Sequence, residues 1–153
     1  MLDILWERHK SIWSWYMRPL FGFVLFYGAW LNDWFVLMVG FIGLSTSWFW
    51  FPKPKMISPL VEEFINIERS FLTPPWHKAK VGSLVAVLMF VVISIFIFWY
   101  RWLELGLVLM CVGGLAKSFW SFKVAGRSGY IAAFFGFFWA GMSILIYMLY
   151  SYS

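Results

Sequence analysis

The sequence predicts an all-α membrane protein: a bundle of five transmembrane helices with two amphipathic helices at the membrane interface. Composition, long apolar blocks and the sorting of charge all point to this class. The 153 residues are 63% hydrophobic and only 12% charged, far from the composition of a soluble domain. A water-soluble domain of this length cannot bury so much apolar surface in its core. We therefore expect a single integral membrane domain over residues 1–153.

Five apolar blocks approach the roughly 20 residues that a spanning helix needs. Their predicted limits are about 15–31, 34–51, 81–102, 103–122 and 129–150. The fifth block has no charged residue, whereas the first carries Arg18 at its entry and the fourth holds Glu104 and Lys117 near its ends. These two are the weaker spans, because a charge near a helix end must reach the headgroups.

Charge sorting predicts the orientation. Eleven of the twelve Lys and Arg residues fall on one side of the membrane under this assignment, and only Arg101 falls on the other. The eleven are Arg8, Lys10, Arg18, Lys53, Lys55, Arg69, Lys78, Lys80, Lys117, Lys123 and Arg127. Because cations favour the cytoplasmic side, we expect the N-terminus in the cytoplasm and the C-terminus on the opposite side. The expected location is a bacterial inner membrane.

A rival topology treats Pro19 to Phe51 as a re-entrant hairpin instead of two spans. It preserves the charge sorting, so counting does not exclude it. It would leave Asp33 inside the bilayer, at a cost of about 2.5 to 3.5 kcal/mol. Two true spans are the preferred alternative.

Two segments outside the spans are amphipathic. The segment 58–72 gathers its apolar residues on one helical face, with Ser58 and Pro59 suited to its start and Pro74-Pro75 following its end. The N-terminal segment 1–14 follows a similar pattern. Both helices should lie at the cytoplasmic interface. With the basic turn from Lys123 to Arg127 they would form a basic platform.

Three titratable residues on this side are the candidate functional residues: Glu68, His9 and His77. Glu68 and His9 fall within apolar arcs, where a charge needs a partner. Glu68 could form a salt bridge with a nearby cation, lie in a wetted interface, or be a carboxylate of raised pKa at a cytoplasmic entrance. The cations considered for that bridge are Lys117, Lys123 and Arg127. A contact between His9 and Glu68 is a further possibility, whereas the spacing of the three residues argues against a metal site.

Small residues mark the helix faces that should pack closely in lipid. The candidates are Gly129, Ala132, Gly136 and Ala140 in the last span, Gly40 and Gly43 in the second, and Gly106 and Gly113 in the fourth. These faces could pack inside a monomeric bundle or form a subunit interface. The first alternative is preferred.

The residues contain no nucleophile motif, phosphate loop or metal-ligand motif, and Cys111 is the single cysteine. We predict no catalytic residues and no cofactor. The expected partners are anionic lipids of the inner leaflet and either a second copy or another membrane protein, but not nucleic acid. The favoured function is a non-enzymatic oligomeric or accessory subunit. The alternatives are an oligomeric channel or small-solute transporter, and an interfacial enzyme acting on lipids or isoprenoids.

Overall fold

The computed structural model describes residues 2–152, and within that range the chain is all-helical without strands. This confirms the predicted all-α class. The helices are α1 (Leu2–His9), α2 (Ile12–Leu31), α3 (Trp34–Thr46), α4 (Pro59–Leu72), α5 (Lys78–Trp99), α6 (Leu103–Ala125) and α7 (Tyr130–Ser151), with a 3₁₀ turn at Ser47–Phe49. Met1, the predicted start of the N-terminal interfacial helix, lies outside the described residues.

Three helices among the described residues, α5, α6 and α7, are long and apolar enough to cross a membrane. The prediction of five such helices was therefore wrong in number. The predicted first span contains Arg18 and Pro19 within α2. The predicted second span, 34–51, is divided between α3 and the 3₁₀ turn. The thirteen residues of α3 rise about 20 Å, less than the roughly 30 Å of a hydrocarbon core.

Side-chain hydrogen bonds accompany the end of α3. The Thr46 hydroxyl donates to the carbonyl of Ile42 at 2.6 Å, and the Trp50 indole donates to the Thr46 hydroxyl at 3.0 Å. Hydroxyls that bond backbone groups compete with the helical ladder. The hydroxyl-rich sequence from Ser45 to Ser47 is thus where the α-helix ends and the 3₁₀ turn begins.

Helices α2 and α3 form a hairpin whose turn lies beside the end of α5. Asn32 adopts a left-handed conformation, with φ of 56°, which asparagine tolerates well. The Asp33 carboxylate caps α3 by accepting from the amides of Phe35 and Val36 at 2.8 and 3.2 Å. The Asn32 side-chain amide donates to the carbonyl of Trp99 at 2.8 Å. We call this region, where α2 and α5 end and α3 and α6 begin, the far end.

Small residues bring α6 and α7 into backbone contact. A Cβ atom on Gly136 would overlap the Ser118 hydroxyl and the carbonyl of Gly114. The Ser118 hydroxyl lies 2.9 Å from the carbonyls of both Gly114 and Ala133. Ala140 is buried against the same face. These contacts lie within one chain, and they join α6 and α7 over most of their length.

The other predicted small residues also face neighbours in the chain. A Cβ on Gly40 would overlap the backbone of Leu25, and one on Gly43 would overlap the ring of Phe21. The remaining contacts pair Gly106 with Phe98, Gly113 with Phe90 and Gly129 with Ser121, while Ala132 is 6% exposed. The small faces are thus occupied by helices and rings of the same molecule.

At the opposite end of the bundle, α1 and α4 pack against the spanning helices. We call α1, the 3₁₀ turn and α4 the platform, and the end that carries it the platform end. Ile65 of α4 is 1% exposed and packs with Trp6 of α1 and Trp15 of α2. Ile131 and Phe135 of α7 complete this cluster. The middle of the apolar face of α4 is therefore covered by protein, whereas Leu60 and Leu72 at its two ends are exposed.

Lys80 fixes the C-terminal end of the platform helix α4 to the start of α5. Its ammonium donates to the carbonyls of Ser70, Thr73 and Pro75 and lies 5.0 Å from the ring of Trp76. A cation is favourable at a helix C-terminus, where carbonyl groups lack helical partners. The buried Lys80 is thus a structural cation and belongs to the packing of the platform.

Candidate functional site

The N-terminal segment places His9 by means of a helix break. The predicted interfacial helix 1–14 is divided: α1 ends at His9 and α2 begins at Ile12. The His9 carbonyl, which loses its helical partner there, accepts from the Trp15 indole at 3.1 Å and lies 3.3 Å from the Ser14 hydroxyl. These bonds satisfy the end of α1. They hold the His9 side chain between α1, α2 and α4.

His9, Glu68 and Arg18 form one polar cluster at the platform end. His9 Nε2 lies 2.8 Å from Glu68 Oε2, and Arg18 Nη1 lies 3.8 Å from Glu68 Oε1. Arg18 Nη2 lies near both ring nitrogens of His9, 3.1 Å from Nε2 and 3.2 Å from Nδ1. A carboxylate only accepts, so we assign the imidazole proton to Nε2, which leaves Nδ1 as the ring nitrogen that can accept from Arg18. Glu68 and Arg18 are 28% and 27% exposed, whereas His9 is 1% exposed.

Three tryptophans surround the imidazole of His9. The Trp15 ring stacks on it with centroids 5.2 Å apart and planes inclined by 15°. The rings of Trp6 and Trp48 approach edge-on, each with its centroid 5.8 Å away. The guanidinium of Arg18 also lies 5.2 Å from the centroid of Trp15. The polar cluster is thus enclosed by aromatic side chains from α1, α2 and the 3₁₀ turn.

This environment sets the protonation of the pair. Burial lowers the pKa of His9 below 6.5, an effect that the hydrogen bond to Glu68 opposes only in part. Burial acts to raise the pKa of Glu68, but His9, Arg18 and the nearby Lys117 together hold that pKa below its usual 4.5. At neutral pH the pair therefore consists of a neutral imidazole that donates to a carboxylate. The predicted alternative of a raised Glu68 pKa was wrong.

The contact of Glu68 with His9 was one of the predicted alternatives and is present, but the cation beside Glu68 is not one of those predicted. Among the described residues, the direct contacts are with His9 and Arg18 instead of Lys117, Lys123 or Arg127. Lys117 lies close enough for a Coulombic interaction with Glu68 and Arg18, but it forms no ion pair within 4.0 Å in the described part of the chain. Arg18, which was expected in the headgroup region, is a partner that the sequence pattern did not predict.

A cavity of about 160 Å³ adjoins the cluster. Its polar lining comes from His9, Arg18, Glu68 and Ser45, and its apolar lining from Trp6, Leu44, Trp48 and Leu72. His77 is exposed at the start of α5 and does not line it. The structure thus brings together His9 and Glu68, while the third candidate residue lies elsewhere.

Three further ion pairs tie the platform together. The carboxylate of Glu7 lies 2.8 Å from the ammonium groups of both Lys10 and Lys53. These contacts lower the pKa of Glu7 to about 2. Lys10 also lies 3.4 Å from Glu62 of α4, and Arg8 donates to the carbonyl of Phe49 at 3.0 Å. Helix α1 is therefore joined to both other parts of the platform.

The chemistry available in the cluster is acid–base and electrostatic. Within residues 2–152, no three His, Cys, Asp or Glu side chains lie close enough together to hold a metal ion. A second cavity, of about 360 Å³, lies toward the far end between α2, α5, α6 and α7. Its lining is almost entirely aromatic and aliphatic, with Ser143 and two tyrosines as the polar residues.

Comparison of the chain with protein-family models, with curated proteins and with solved structures gives no match.

Proposed function

We propose that this chain is a non-enzymatic membrane protein that presents the exposed cations around the platform, at the platform end, to an acidic, membrane-associated partner protein at the cytoplasmic face. Its role would be that of an accessory or scaffold subunit. The main observation behind this proposal is the charge at the platform end, which has eleven Lys and Arg residues and five Asp and Glu residues. The far end has one cation, Arg101, and two carboxylates, Asp33 and Glu104.

Much of this positive charge is not neutralised inside the chain. Lys55, Lys78, Lys123 and Arg127 are exposed and form no ion pair within 4.0 Å among the described residues. In contrast, the carboxylates Glu7, Glu62 and Glu68 are already engaged with Lys10, Lys53, His9 or Arg18. An excess of exposed cations on one surface favours binding of an acidic partner by electrostatic complementarity.

The proposed orientation follows from the same charges. Three spanning helices, with the α2–α3 hairpin entering and leaving on one side, would put the two chain ends on opposite sides of the membrane. The positive-inside tendency then assigns the platform to the cytoplasm. A membrane-impermeant thiol reagent tests this arrangement on single-cysteine variants made in a Cys111→Ser background. Lys55→Cys should react only after the membrane is opened, and Tyr152→Cys should react from outside.

The small-residue faces favour a different protein as partner over a second copy held by helix packing. The Gly136 face is occupied by α6 of the same chain, and the Gly40 and Gly43 faces are occupied by α2. An association through the exposed cations of the platform end leaves those faces undisturbed. The proposal therefore assigns the contact to charged groups outside the membrane.

Photo-crosslinking in native membranes tests the partner. A photoreactive residue at position 124, beside the basic turn, should give a defined adduct, whereas one at Val87 on the lipid-facing surface of α5 should give lipid adducts. Replacing Lys123 and Arg127 by Glu should reduce the adduct at least tenfold. The matched reversal Arg101→Glu at the far end should leave it unchanged. Absence of a protein adduct, or equal yields from both reversals, would refute the proposal.

A further inference from the structure

The 360 Å³ cavity toward the far end lies between two pairs of helices, and each pair is closed by backbone contact. A Cβ atom on Gly28 of α2 would overlap the backbone of Leu37 of α3, and one on Gly114 of α6 would overlap the carbonyl of Gly136 of α7. Helices that already touch along one face cannot shift into a neighbouring space without losing that packing. The two pairs therefore hold the cavity between them open.

The cavity has a closed inner end and an outer mouth. At the inner end the Trp139 ring lies against Gly22, where a Cβ atom would overlap it, and its centroid is 4.4 Å from that of Phe23. Of the residues that line the cavity, Tyr27 and Tyr150 are the exposed ones, and both lie toward the far end of their helices. Tyrosine is favoured at the level of the lipid headgroups. The mouth thus faces the membrane surface at the far end.

The lining follows the helices for about the depth of one leaflet. It extends along α2 from position 23 to 30, along α6 from 103 to 110 and along α7 from 139 to 150. At about 1.5 Å per residue these stretches are roughly 10 to 16 Å long. Half of a hydrocarbon core of roughly 30 Å is about 15 Å. In a spanning bundle the cavity therefore reaches from the headgroups at the far end to near the middle of the bilayer.

The walls suit a hydrocarbon and not a polar ring. The Ser143 hydroxyl, the polar group deep in the lining, already donates to the carbonyl of Trp139 at 2.8 Å. A quinone or a similar ring would leave its carbonyl groups without partners among these aromatic and aliphatic side chains. A hydrocarbon chain needs no such partner, and it supplies the dispersion contacts that the walls of an empty cavity lack.

We propose that this cavity binds one acyl chain of a phospholipid from the leaflet at the far end. Its volume of about 360 Å³ is in the range of small-ligand sites. A helix about 10 Å across would occupy roughly 800 Å³ over a length of about 10 Å, so a helix of a second copy does not fit. The site lies at the end opposite the platform, and it does not depend on the acidic partner of the proposed function.

Photolabelling of the intact protein in neutral detergent tests the site. The probe is phosphatidylcholine with a diazirine in the middle of one acyl chain. We expect saturable labelling at the cavity residues Leu107 and Met142, and unsaturable labelling at Val87 on the lipid-facing surface of α5. Phosphatidylcholine and phosphatidylglycerol with the same chains should compete equally, because the cavity holds the chain. Unsaturable labelling at all three residues, or competition that depends on the headgroup, would overturn the proposal.

Variants that fill the cavity make the test specific. Ser143→Phe adds a ring inside the cavity, whereas Ile144→Phe adds the same ring on the exposed side of α7. Ser143→Phe should reduce the saturable labelling at least tenfold, and Ile144→Phe should be labelled as the wild type is. Ser143→Leu fills less of the space and should give an intermediate loss. The thermal unfolding midpoint identifies the Ser143 variants that keep the fold, and full saturable labelling of such a variant would refute the site.

A photoreactive residue at position 146, in the lining of the cavity, identifies the occupant in native membranes. The adduct should have the mass of the chain plus one phospholipid. An adduct of twice the mass of the chain would instead show that a second copy covers the cavity, and an adduct with a quinone would show that the ligand is a polar ring. Either of these two results would overturn the proposal.

Discussion

The contact between α6 and α7 and the attachment of the platform show two different ways of joining helices. Between α6 and α7, Gly114 and Gly136 allow the backbones to touch, and the Ser118 hydroxyl bridges them. At the platform, the contact depends on large rings and charged groups around His9. The first contact depends on shape, which solution conditions barely change. The second depends on protonation and charge, which pH can alter.

The two contacts are also stabilised by different physical effects. Inside lipid, water does not drive helices together, so close approach of small residues must contribute. At the interface, the apolar face of α4 can be buried in the ordinary way, by covering Ile65 with Trp6 and Trp15. Polar groups such as Glu68 then orient the docked helix. Substitutions can separate these two mechanisms.

The largest effect is expected at the α6–α7 contact. Gly136→Ala places a Cβ where the Ser118 hydroxyl and the Gly114 carbonyl already lie, so the helices must separate. Overpacking of this kind should lower the free energy of unfolding by about 3 kcal/mol. Thermal unfolding in mild detergent, followed by circular dichroism, measures the change.

Gly141→Ala in the same helix is the matched control, because a Cβ there has no atom within 4 Å. Alanine is the better helix former, so this variant should be unchanged or slightly more stable. Equal unfolding curves for the two variants would show that α6 and α7 do not depend on close backbone approach.

A smaller and more local effect is expected at the platform. Glu68→Gln removes the carboxylate that binds His9 and lies beside Arg18. Loss of a hydrogen bond to a charged group should favour local opening of α4 by about 2 kcal/mol, while the α6–α7 contact is retained. Hydrogen exchange of the α4 amides measures this opening. Glu63→Gln, an exposed residue of the same helix, is the control, and equal exchange in both variants would contradict the role of Glu68.

The part of the fold that the sequence predicted best is the set of spanning helices. The predicted limits 103–122 and 129–150 lie within three residues of α6 and α7, because long apolar blocks separated by a short polar turn have few alternatives. The predicted second span was too long. Its apolar composition continues through Trp48 to Phe51, so no change in composition marks the point where the α-helix ends at Thr46 and the 3₁₀ turn begins.

The candidate site could be predicted only in its individual members. His9 and Glu68 each lie on the apolar side of an amphipathic helix, and this pattern indicated that both face inward. Their pairing with Arg18 and Trp48 depends on how α1, α2 and the 3₁₀ turn pack. No sequence spacing reports that packing. The tryptophans illustrate the difficulty, because composition alone favours membrane anchoring for all twelve.

The smallest effect is expected from a change of pH, which should weaken the docking of the platform but not the contact between α6 and α7. The pKa of His9 lies below 6.5 in the docked platform because burial disfavours the imidazolium. An undocked His9 therefore binds a proton more readily, and docking loses stability as the pH falls below 6.5 until it reaches the lowered pKa. Glu68, whose pKa lies below 4.5, adds a further loss below that pH. The α6–α7 contact has no titratable side chain at Gly114, Ser118 or Gly136 and should not respond.

Spin labels at positions 63 of α4 and 123 of α6, in a Cys111→Ser background, measure this undocking by the distance between them. The distribution of distances should broaden as the pH is lowered from 7 toward 4.5, because only His9 of the pair should gain a proton above the ordinary pKa of Glu68. His9→Gln keeps a donor for Glu68 but does not titrate, so the broadening above pH 4.5 should disappear. His77→Gln should behave as the wild type, since His77 is exposed outside the cluster. If the two variants respond alike, the pH sensitivity of the platform does not come from His9, and its attachment depends on shape, as at the α6–α7 contact.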